Sequence, residues 1–221
     1  MQCDSVEPWQ HGSVLRTPSV PDYWDGNAVR VEAEGVSAEA MLAAADRYLA
    51  DAAHRKLDVE DEATGAAARP FFAALGWLND RHAMMARSGA PPVPAHTVVE
   101  VPVSATRALR TEWAGEYGTE DFVVTQESVM ARRGVRAFMT GEDGFVTIAV
   151  GPGAIEIDSL FVTASARGRG FGASLIAAAL AAGGEDLAWV VADDVGQARP
   201  LYERLGFVTR WRFYTFVRVP G

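Results

Sequence analysis

Apolar and polar residues alternate along the chain with two periods, and these periods predict the order of strands and helices. Residues 86–96, ARSGAPPVPAH, interrupt the pattern with proline, glycine and small side chains, which is typical of a boundary between domains. Before this segment, apolar positions repeat every second residue in the predicted strands and every third or fourth residue in the predicted helices. In chain order these elements are a strand at 27–31, a helix at 38–52, a strand at 56–59, a helix at 66–75 and a strand at 80–85.

The second half of the chain carries more elements of both kinds. The turn residues GEDG predict a hairpin between strands at 136–140 and 145–150. Helices that alternate with such strands predict an α/β fold around a mixed sheet. The remaining elements are strands at 97–103, 154–162 and 188–192, helices at 105–116, 173–182 and 200–205, a helix or loop at 120–132, and a closing pair of strands within 207–219.

The two halves share one phrase, ARPFFAALGW at 68–77 and ARPLYERLGF at 198–207. The copies lie farther apart than the period of a solenoid, about 20 to 50 residues, so they indicate two related domains and not an array. In each copy the proline suits the first turn of a helix, and the glycine suits a left-handed residue that ends it. The copies differ at five of their ten positions, and at one of these the second has Tyr202 where the first has Phe72, which lacks the hydroxyl.

Composition and charge exclude several classes of function. The chain has 221 residues and a net charge of −9, so it offers no basic stripe for a phosphate backbone, and no nucleic-acid partner is expected. Cys3 is the single cysteine and the four histidines have no ligand spacing, so neither a disulfide nor a metal site is expected. The first residues, MQCDSVEPWQ, do not resemble a signal peptide, and no apolar run is long enough to span a membrane. We therefore expect a soluble, cytoplasmic protein without a membrane partner.

A glycine-rich loop between a predicted strand and a predicted helix is the strongest chemical signal in the sequence. It lies in EIDSLFVTASARGRGFGASLIAAAL, where backbone N–H groups and a helix N-terminus can bind a pyrophosphate and arginines can add positive charge. A P-loop is excluded, because Ala173 and not lysine follows the last glycine. A dinucleotide fingerprint fits Gly168, Gly170 and Ala173, but that unit opens its fold, whereas here only residues 173–221 follow the loop.

The segment LFVTASARGRGFG resembles the first signature of the GNAT acyl-CoA N-acetyltransferases, L-x-V-x-P-x-x-R-G-x-G-x-G, with Ala164 in place of the usual proline. The phrase at 198–207 resembles their second signature, A-x-x-L-Y-x-x-x-G-F, at the distance that the family uses. The resemblance covers about residues 97–221 and implies the GNAT fold, an α/β architecture with a central mixed, twisted sheet. It also implies acetyl-CoA as the acyl donor, and a primary amine of a small molecule or a protein as the acceptor.

The resemblance implies roles for individual residues. Glu156 lies where relatives that acetylate lysine carry their catalytic glutamate, and Asp158 shares its face of the strand, so either could be the general base or only attract a cationic acceptor. Tyr202 is expected to protonate the departing thiolate, unless it is simply an aromatic of the core, and a main-chain N–H near Val162 is expected to stabilise the oxyanion. The residues expected to contact acetyl-CoA are Leu160, Phe161, Val162, Arg167, Gly168, Arg169, Gly170, Phe171, Gly172, Ala173 and Tyr202.

The resemblance further divides the chain into a degenerate GNAT-like domain at 1–92, without a cofactor site, and a catalytic GNAT domain at 93–221. In the first, Glu32 and Glu34 stand where the second has arginines, and their charges would repel a pyrophosphate. We expect this copy to shape the acceptor pocket. A CoA-binding regulator or sensor without turnover is the alternative function, and either a monomer or a homodimer fits the sequence.

Overall fold

The structure is a computed structural model that describes residues 3–115 and 119–219. The chain divides into two compact units, which are described separately. The first unit comprises Met1–Met84, Asp193–Val195 and Trp211–Gly221, and the second comprises Met85–Ala192 and Gly196–Arg210. The sequence analysis divides the chain once, between residues 92 and 93, and that division remains a prediction about origin and function.

The first unit contains a mixed sheet with two helices. Its strands lie in the order β1-β2-β3-β4-β11-β5. β3 and β4 are parallel, with Val29 opposite Leu57, whereas β4 and β11 are antiparallel, with Leu57 opposite Phe216. The elements that lie wholly or mostly in this unit are β1 (Ser5–Trp9), β2 (Gly12–Arg16), β3 (Ala28–Val31), α1 (Ala38–Tyr48), β4 (Arg55–Val59), α2 (Glu62–Ala74), β5 (Leu78–Ser88) and β11 (Val208–Arg218).

The core of the first unit lies between one face of this sheet and the helices α1 and α2. Alternate residues of β3 and β4 are fully buried there, together with the apolar positions of both helices. Phe72 of α2 is fully buried, and the centre of its ring lies 4.6 Å from the ring of Phe216 and 4.8 Å from that of Trp77. Burial of one such aromatic side chain contributes roughly 2 to 3 kcal/mol to folding, so this cluster anchors the unit.

The second unit contains a five-stranded arrangement in the order β10-β9-β8-β7-β6. β9 and β10 are parallel and the other neighbouring pairs are antiparallel. Helix α5 is apolar around most of its circumference and packs on β8 and β9, where Leu175 and Ile176 are fully buried. The elements are β6 (Val99–Val101), α3 (Arg107–Ala114), α4 (Glu120–Arg132), β7 (Arg136–Met139), β8 (Gly144–Gly151), β9 (Ala154–Val162), α5 (Phe171–Gly183), β10 (Leu187–Asp193) and α6 (Arg199–Arg204).

Most predicted elements are present, and the differences have local causes. The hairpin of β7 and β8, the strand β9 and a helix at 120–132 are confirmed. The helix predicted at 105–116 spans Arg107–Ala114, and residue 116 lies outside the described residues. The predicted closing pair of strands is wrong, because 207–219 holds one continuous strand, β11, with no turn residue to interrupt it. β1 and β2 were not predicted, since β1 is almost entirely exposed and has no apolar alternation.

The repeated phrase begins differently in its two copies. Helix α2 is capped by Asp61, whose carboxylate accepts hydrogen bonds from the N–H and the hydroxyl of Thr64 at 2.8 and 2.6 Å. Pro70 therefore lies inside α2 and not in its first turn, which corrects the sequence prediction. Pro200 does lie in the first turn of α6. The cap at Asp61 is stronger than the local start signal of the phrase, so α2 begins before it.

Stability of the first unit should depend on pH through His54. Its side chain is fully buried, its Nε2–H donates to the carbonyl of Asn27 at 2.8 Å, and its Nδ1 has no hydrogen-bond partner among the described residues. Burial lowers the pKa of His54 below its ordinary value of 6.5, so the folded state holds a neutral ring where the unfolded state takes up a proton. The free energy of unfolding should therefore fall as the pH drops below 6.5, by at most about 1.4 kcal/mol per pH unit for this group.

Urea denaturation at several pH values between 7.5 and 5 would measure the free energy of unfolding, which should change by about 1 kcal/mol. The His54→Gln variant cannot titrate at this position and should show a shallower slope, with the remainder due in part to His82, whose pKa burial also lowers. An equal slope in the wild type and the variant would contradict the assignment.

Candidate active site

The glycine-rich loop joins β9 to α5 by a route that requires glycine at two positions. Gly168 and Gly170 have φ angles of 76° and 88°, in the left-handed region that side chains with a Cβ disfavour. Gly170 is also the N-cap of α5, so no side chain covers the first N–H groups of the helix there. At Gly172 the packing is tight, because a Cβ at this position would approach Leu201 Cδ2 to 3.0 Å and the leucine side chain would have to shift. The loop thus exposes main-chain donors at the start of α5.

A cavity of about 510 Å³ opens beside this loop. All of the residues that the sequence analysis expects to contact acetyl-CoA line it, except Arg169 and Tyr202. The structure therefore brings the first signature together at one cavity wall. The predicted residues on that wall are Leu160, Phe161, Val162, Arg167, Gly168, Gly170, Phe171, Gly172 and Ala173.

The opposite wall comes from one face of α6 and the residues before it. Leu201 and Arg204 lie three residues apart on one side of α6, and Gln197 lies two residues before the helix begins. Leu201 belongs to the second signature, whereas Gln197 and Arg204 were not predicted; the spacing of three residues from Leu201 could have identified Arg204. Ala198 and Leu205 complete this wall.

Two arginines give the cavity a positive charge in a chain whose net charge is −9. The Nε–H of Arg167 donates to the carbonyl of Val162 at 3.1 Å, which holds this side chain across the loop. Arg204 reaches the cavity from the end of α6. Among the described residues that line the cavity, none carries a carboxylate. An anionic ligand such as a pyrophosphate is therefore favoured here.

β9 and β10 separate beyond Ile157. The two strands pair only from Ile155 to Ile157 of β9, whereas β9 continues to Val162 alongside β8. This divergence opens the sheet next to the glycine-rich loop. The predicted oxyanion donor near Val162 stays a prediction, and the N–H of the following residue, Thr163, already donates to the carbonyl of Asp143 at 2.9 Å.

Glu156 and Asp158 lie on the same face of β9, as predicted, and Arg133 binds both. The guanidinium of Arg133 donates to Glu156 Oε2 and to Asp158 Oδ1, each at 2.7 Å. All three side chains are at least four-fifths buried. A bulge in the pairing of β9 with β8 leaves Asp158 without a cross-strand partner, and Thr147 donates its hydroxyl to Asp158 Oδ2 at 3.1 Å. Arg133, which follows the last residue of α4, was not among the predicted site residues.

Tyr202 is buried in α6, one residue after Leu201 and therefore about 100° around the helix from the cavity wall. Its ring lies 5.6 Å from that of Phe207. Burial raises the pKa of Tyr202 well above its usual value of 10, so the phenol stays protonated at neutral pH. The phenol thus keeps a proton to donate but is a weak acid, and its position off the wall suits an aromatic of the core.

The geometry described above defines a class of fold, and comparisons with known proteins agree. Residues 120–209 match the family model of the acetyltransferase (GNAT) domain, which covers less than half of the chain and extends from α4 to the first residues of β11. No curated protein sequence matches the chain. The fold is the α/β GNAT fold with a mixed sheet.

Three solved structures illustrate the likeness. A GCN5-related N-acetyltransferase from Kribbella flavida has a TM-score of 0.62 at 20% identity, over 98% of this chain and 90% of that one. A functionally unknown conserved protein from Staphylococcus epidermidis has a TM-score of 0.78 at 13% identity, over 99% of this chain and 95% of that one. A GCN5-related N-acetyltransferase from Sphaerobacter thermophilus has a TM-score of 0.58 at 17% identity, over 80% of this chain and 66% of that one. At these identities the likeness shows the fold alone.

The described part of the chain lacks two further features. Within residues 3–115 and 119–219, no three His, Cys, Asp or Glu side chains are placed to hold a metal ion. No helix in the same part of the chain has both the length and the apolar character that crossing a membrane requires.

Proposed function

We propose that this chain transfers an acetyl group from acetyl-CoA to a primary amine. The observation that carries the proposal is the cavity at the start of α5, where left-handed glycines leave main-chain donors exposed between Arg167 and Arg204. Such a wall fits the pyrophosphate of coenzyme A. The divergence of β9 and β10 leaves room beyond it for an extended arm. The donor supplies a thioester, and the residues of the chain hold it, orient it and move protons.

In the proposed reaction the acceptor nitrogen attacks the thioester carbonyl, the new C–N bond forms and the C–S bond then breaks. Glu156 or Asp158 takes the proton that the ammonium group must lose, directly or through water, and Tyr202 donates a proton to the departing thiolate. A main-chain N–H near Val162 stabilises the oxyanion of the tetrahedral intermediate. The acceptor is an amine of a small molecule or a protein.

A screen of amines with acetyl-CoA tests this function. The wild-type protein should release free CoA thiol only when a suitable amine is present, and calorimetry should show binding of CoA. Polyamines, amino acids, aminoglycosides, arylamines and lysine peptides cover the acceptor classes. Without measurable binding of CoA, the proposed function fails altogether.

One observation favours a second function, a CoA-binding sensor without turnover. Arg133 already binds Glu156 and Asp158, so a carboxylate that accepts a proton must weaken an ion pair at 2.7 Å. CoA binding without thiol release across the whole panel of amines would support the sensor over the enzyme.

Replacement of Tyr202 by Phe should lower turnover by about 10- to 10³-fold, because the variant lacks the proton donor but a thiolate leaves fairly well without one. CoA affinity should be unchanged, since the ring is retained and does not line the cavity. Steady-state kinetics and calorimetry would measure both quantities.

Phe72→Tyr is the matched control for this variant. It places a hydroxyl in the buried core of the first unit, so it should reduce stability but leave turnover as it is. Full activity in the Tyr202→Phe variant would make Tyr202 an aromatic of the core only.

We also propose that residues 1–92 are a degenerate copy of the catalytic domain at 93–221. Both carry a strand, helix, strand, helix and strand in the same order, from β3 to β5 and from β9 to β11, and the first two strands are parallel in each. The repeated phrase also ends alike. Trp77 N–H donates to the carbonyl of Phe72, and Phe207 N–H to that of Tyr202, both at 3.0 Å.

In the first copy a side chain accepts a hydrogen bond from the helix N-terminus, whereas the second copy has no such cap. Ser37 caps α1, and its hydroxyl accepts a hydrogen bond from the N–H of Ala40 at 3.2 Å. In α5 the corresponding cap is Gly170, which has no side chain to occupy such a donor. Glu32 and Glu34 add negative charge ahead of α1. These differences support a first copy that binds no cofactor. Cytoplasmic location, and a monomeric or dimeric state without nucleic-acid or membrane partners, complete the proposal.

A further inference from the structure

The segment 86–96, which the sequence marks as a break between domains, ends on the glycine-rich loop within the second unit. The main-chain N–H groups of Ala95 and His96 both donate to the hydroxyl of Ser174, each at 3.1 Å. Ser174 lies in the first turns of α5 and is almost fully buried. The end of the segment is therefore fixed to the helix that follows the loop.

The approach to this contact is stiff. The segment contains PPVP, and each proline fixes its φ angle near −65°. At its beginning, the N–H of Gly89 donates to the carbonyl of Asp186 at 3.1 Å, and the side chain of Arg87 donates to the carbonyl of Ala90 at 2.8 Å. Hydrogen bonds hold the segment at both ends, and its prolines make it a rigid connection and not a flexible linker.

The side chain of His96 binds the loop directly. Its Nε2 lies 2.8 Å from the carbonyl oxygen of Arg169, and since a carbonyl can only accept, Nε2 carries the proton. The ring lies 4.4 Å from the ring of Phe171, and the guanidinium of Arg169 lies 5.0 Å from that same ring. A Cβ added to Gly170 would come within 3.3 Å of Nε2. His96 thus contacts the loop at three consecutive residues, Arg169, Gly170 and Phe171.

This hydrogen bond fixes the orientation of one peptide group. The carbonyl of Arg169 and the N–H of Gly170 belong to the same planar trans peptide, so they point in opposite directions. This peptide lies between Arg169 and Gly170, and the freedom of Gly170 to adopt φ angles of either sign lets the peptide rotate more easily than a residue with a Cβ would. When His96 holds the carbonyl, the N–H of Gly170 is held on the other side, and Gly170 lines the cavity.

We propose that His96 is a positioning residue for the pyrophosphate of coenzyme A, acting through the peptide between Arg169 and Gly170. The inference rests on the proposed function, because it requires a pyrophosphate in the cavity. His96 lies far from the loop in the sequence, in a segment that both signatures leave out.

Two variants separate the hydrogen bond from the ring. His96→Phe keeps an aromatic ring against Phe171 but removes the donor, and should weaken CoA binding and raise the KM for acetyl-CoA by about three- to thirtyfold, as expected for one lost hydrogen bond. kcat and the KM for the amine should change little. His96→Gln retains an N–H donor and should recover part of the loss.

S-acetylpantetheine, which lacks the pyrophosphate, supplies the decisive control. His96→Phe should lower kcat/KM for acetyl-CoA but not for S-acetylpantetheine, and a purely structural role would lower both alike. Equal losses with the two donors, or unchanged CoA affinity in His96→Phe while the wild type binds CoA, would overturn the inference and leave the proposed function in place. A wild type that binds no CoA would overturn both.

Discussion

Replacement of Glu156 by Gln should lower the rate of acetyl transfer by roughly 10² to 10⁴ at neutral pH, because the amide cannot take the ammonium proton. Gln keeps the shape of the side chain, and its amide oxygen can still accept the hydrogen bond that Arg133 donates to Glu156 Oε2. The loss should shrink at high pH, where the acceptor amine is already neutral. Pre-steady-state or steady-state kinetics from pH 6 to about 10 would give the profile.

Asp158→Asn is the matched control, since Arg133 binds this carboxylate at the same distance, 2.7 Å. If Glu156 is the base, the Asp158→Asn variant should keep most of its rate and the shape of its pH profile. A large loss in Asp158→Asn with little loss in Glu156→Gln would transfer the role to Asp158. An unchanged profile in both variants would leave the ion pairs with a structural role and favour water as the proton acceptor.

Replacement of Arg133 by Met should destabilise the protein by about 3 to 5 kcal/mol, the range for breaking a buried ion pair from one side. The variant removes the guanidinium that Glu156 and Asp158 each bind at 2.7 Å, and both side chains are at least four-fifths buried. Urea denaturation at pH 7 would measure the free energy of unfolding. At lower pH the difference between the free energies of unfolding of the variant and the wild type should narrow, because the carboxylates that have lost Arg133 can take up protons.

Arg107→Met gives the comparison for an exposed pair. The side chain of Arg107 is 49% exposed and binds Glu127 at 2.7 Å. Solvent screens such a pair, so its loss should cost less than about 1 kcal/mol. Equal effects in Arg133→Met and Arg107→Met would contradict the expectation that the buried ion pairs of Arg133 contribute more to stability than the exposed pair of Arg107.

Structural features that depend only on residues close together in the chain were predicted best from the sequence. The loop with Gly168 and Gly170 was found because left-handed backbone leaves few other choices, and its place between a strand and a helix follows from the change of apolar period. The helix end predicted in both copies of the phrase was correct for the same reason, because a left-handed glycine follows each helix. Pro70 shows the limit, since an upstream cap at Asp61 moved the beginning of the helix out of the phrase.

Contacts that join distant parts of the chain were not predictable from the pattern. Arg133 has the same polar signal as any residue after a helix, and its two carboxylate partners lie on a strand beyond a hairpin. His96 looked like the end of a linker, yet it binds the carbonyl of Arg169. Contacts of this kind depend on the fold. The period of a sequence indicates on which face of a helix or strand a residue lies, but not which distant residue it contacts.

The strand order of the first unit has a consequence for biosynthesis. β4 lies between β3 and β11, and its Asp58 accepts a hydrogen bond from Thr215, 157 residues later in the chain. While the chain emerges from the ribosome, β4 has an open edge with no strand beside it until β11 has been made. A fragment ending at residue 92 would lack β11 and keep that edge permanently. If such a fragment aggregated, the cause would therefore be the missing strand β11, and not an inability of the domain to fold.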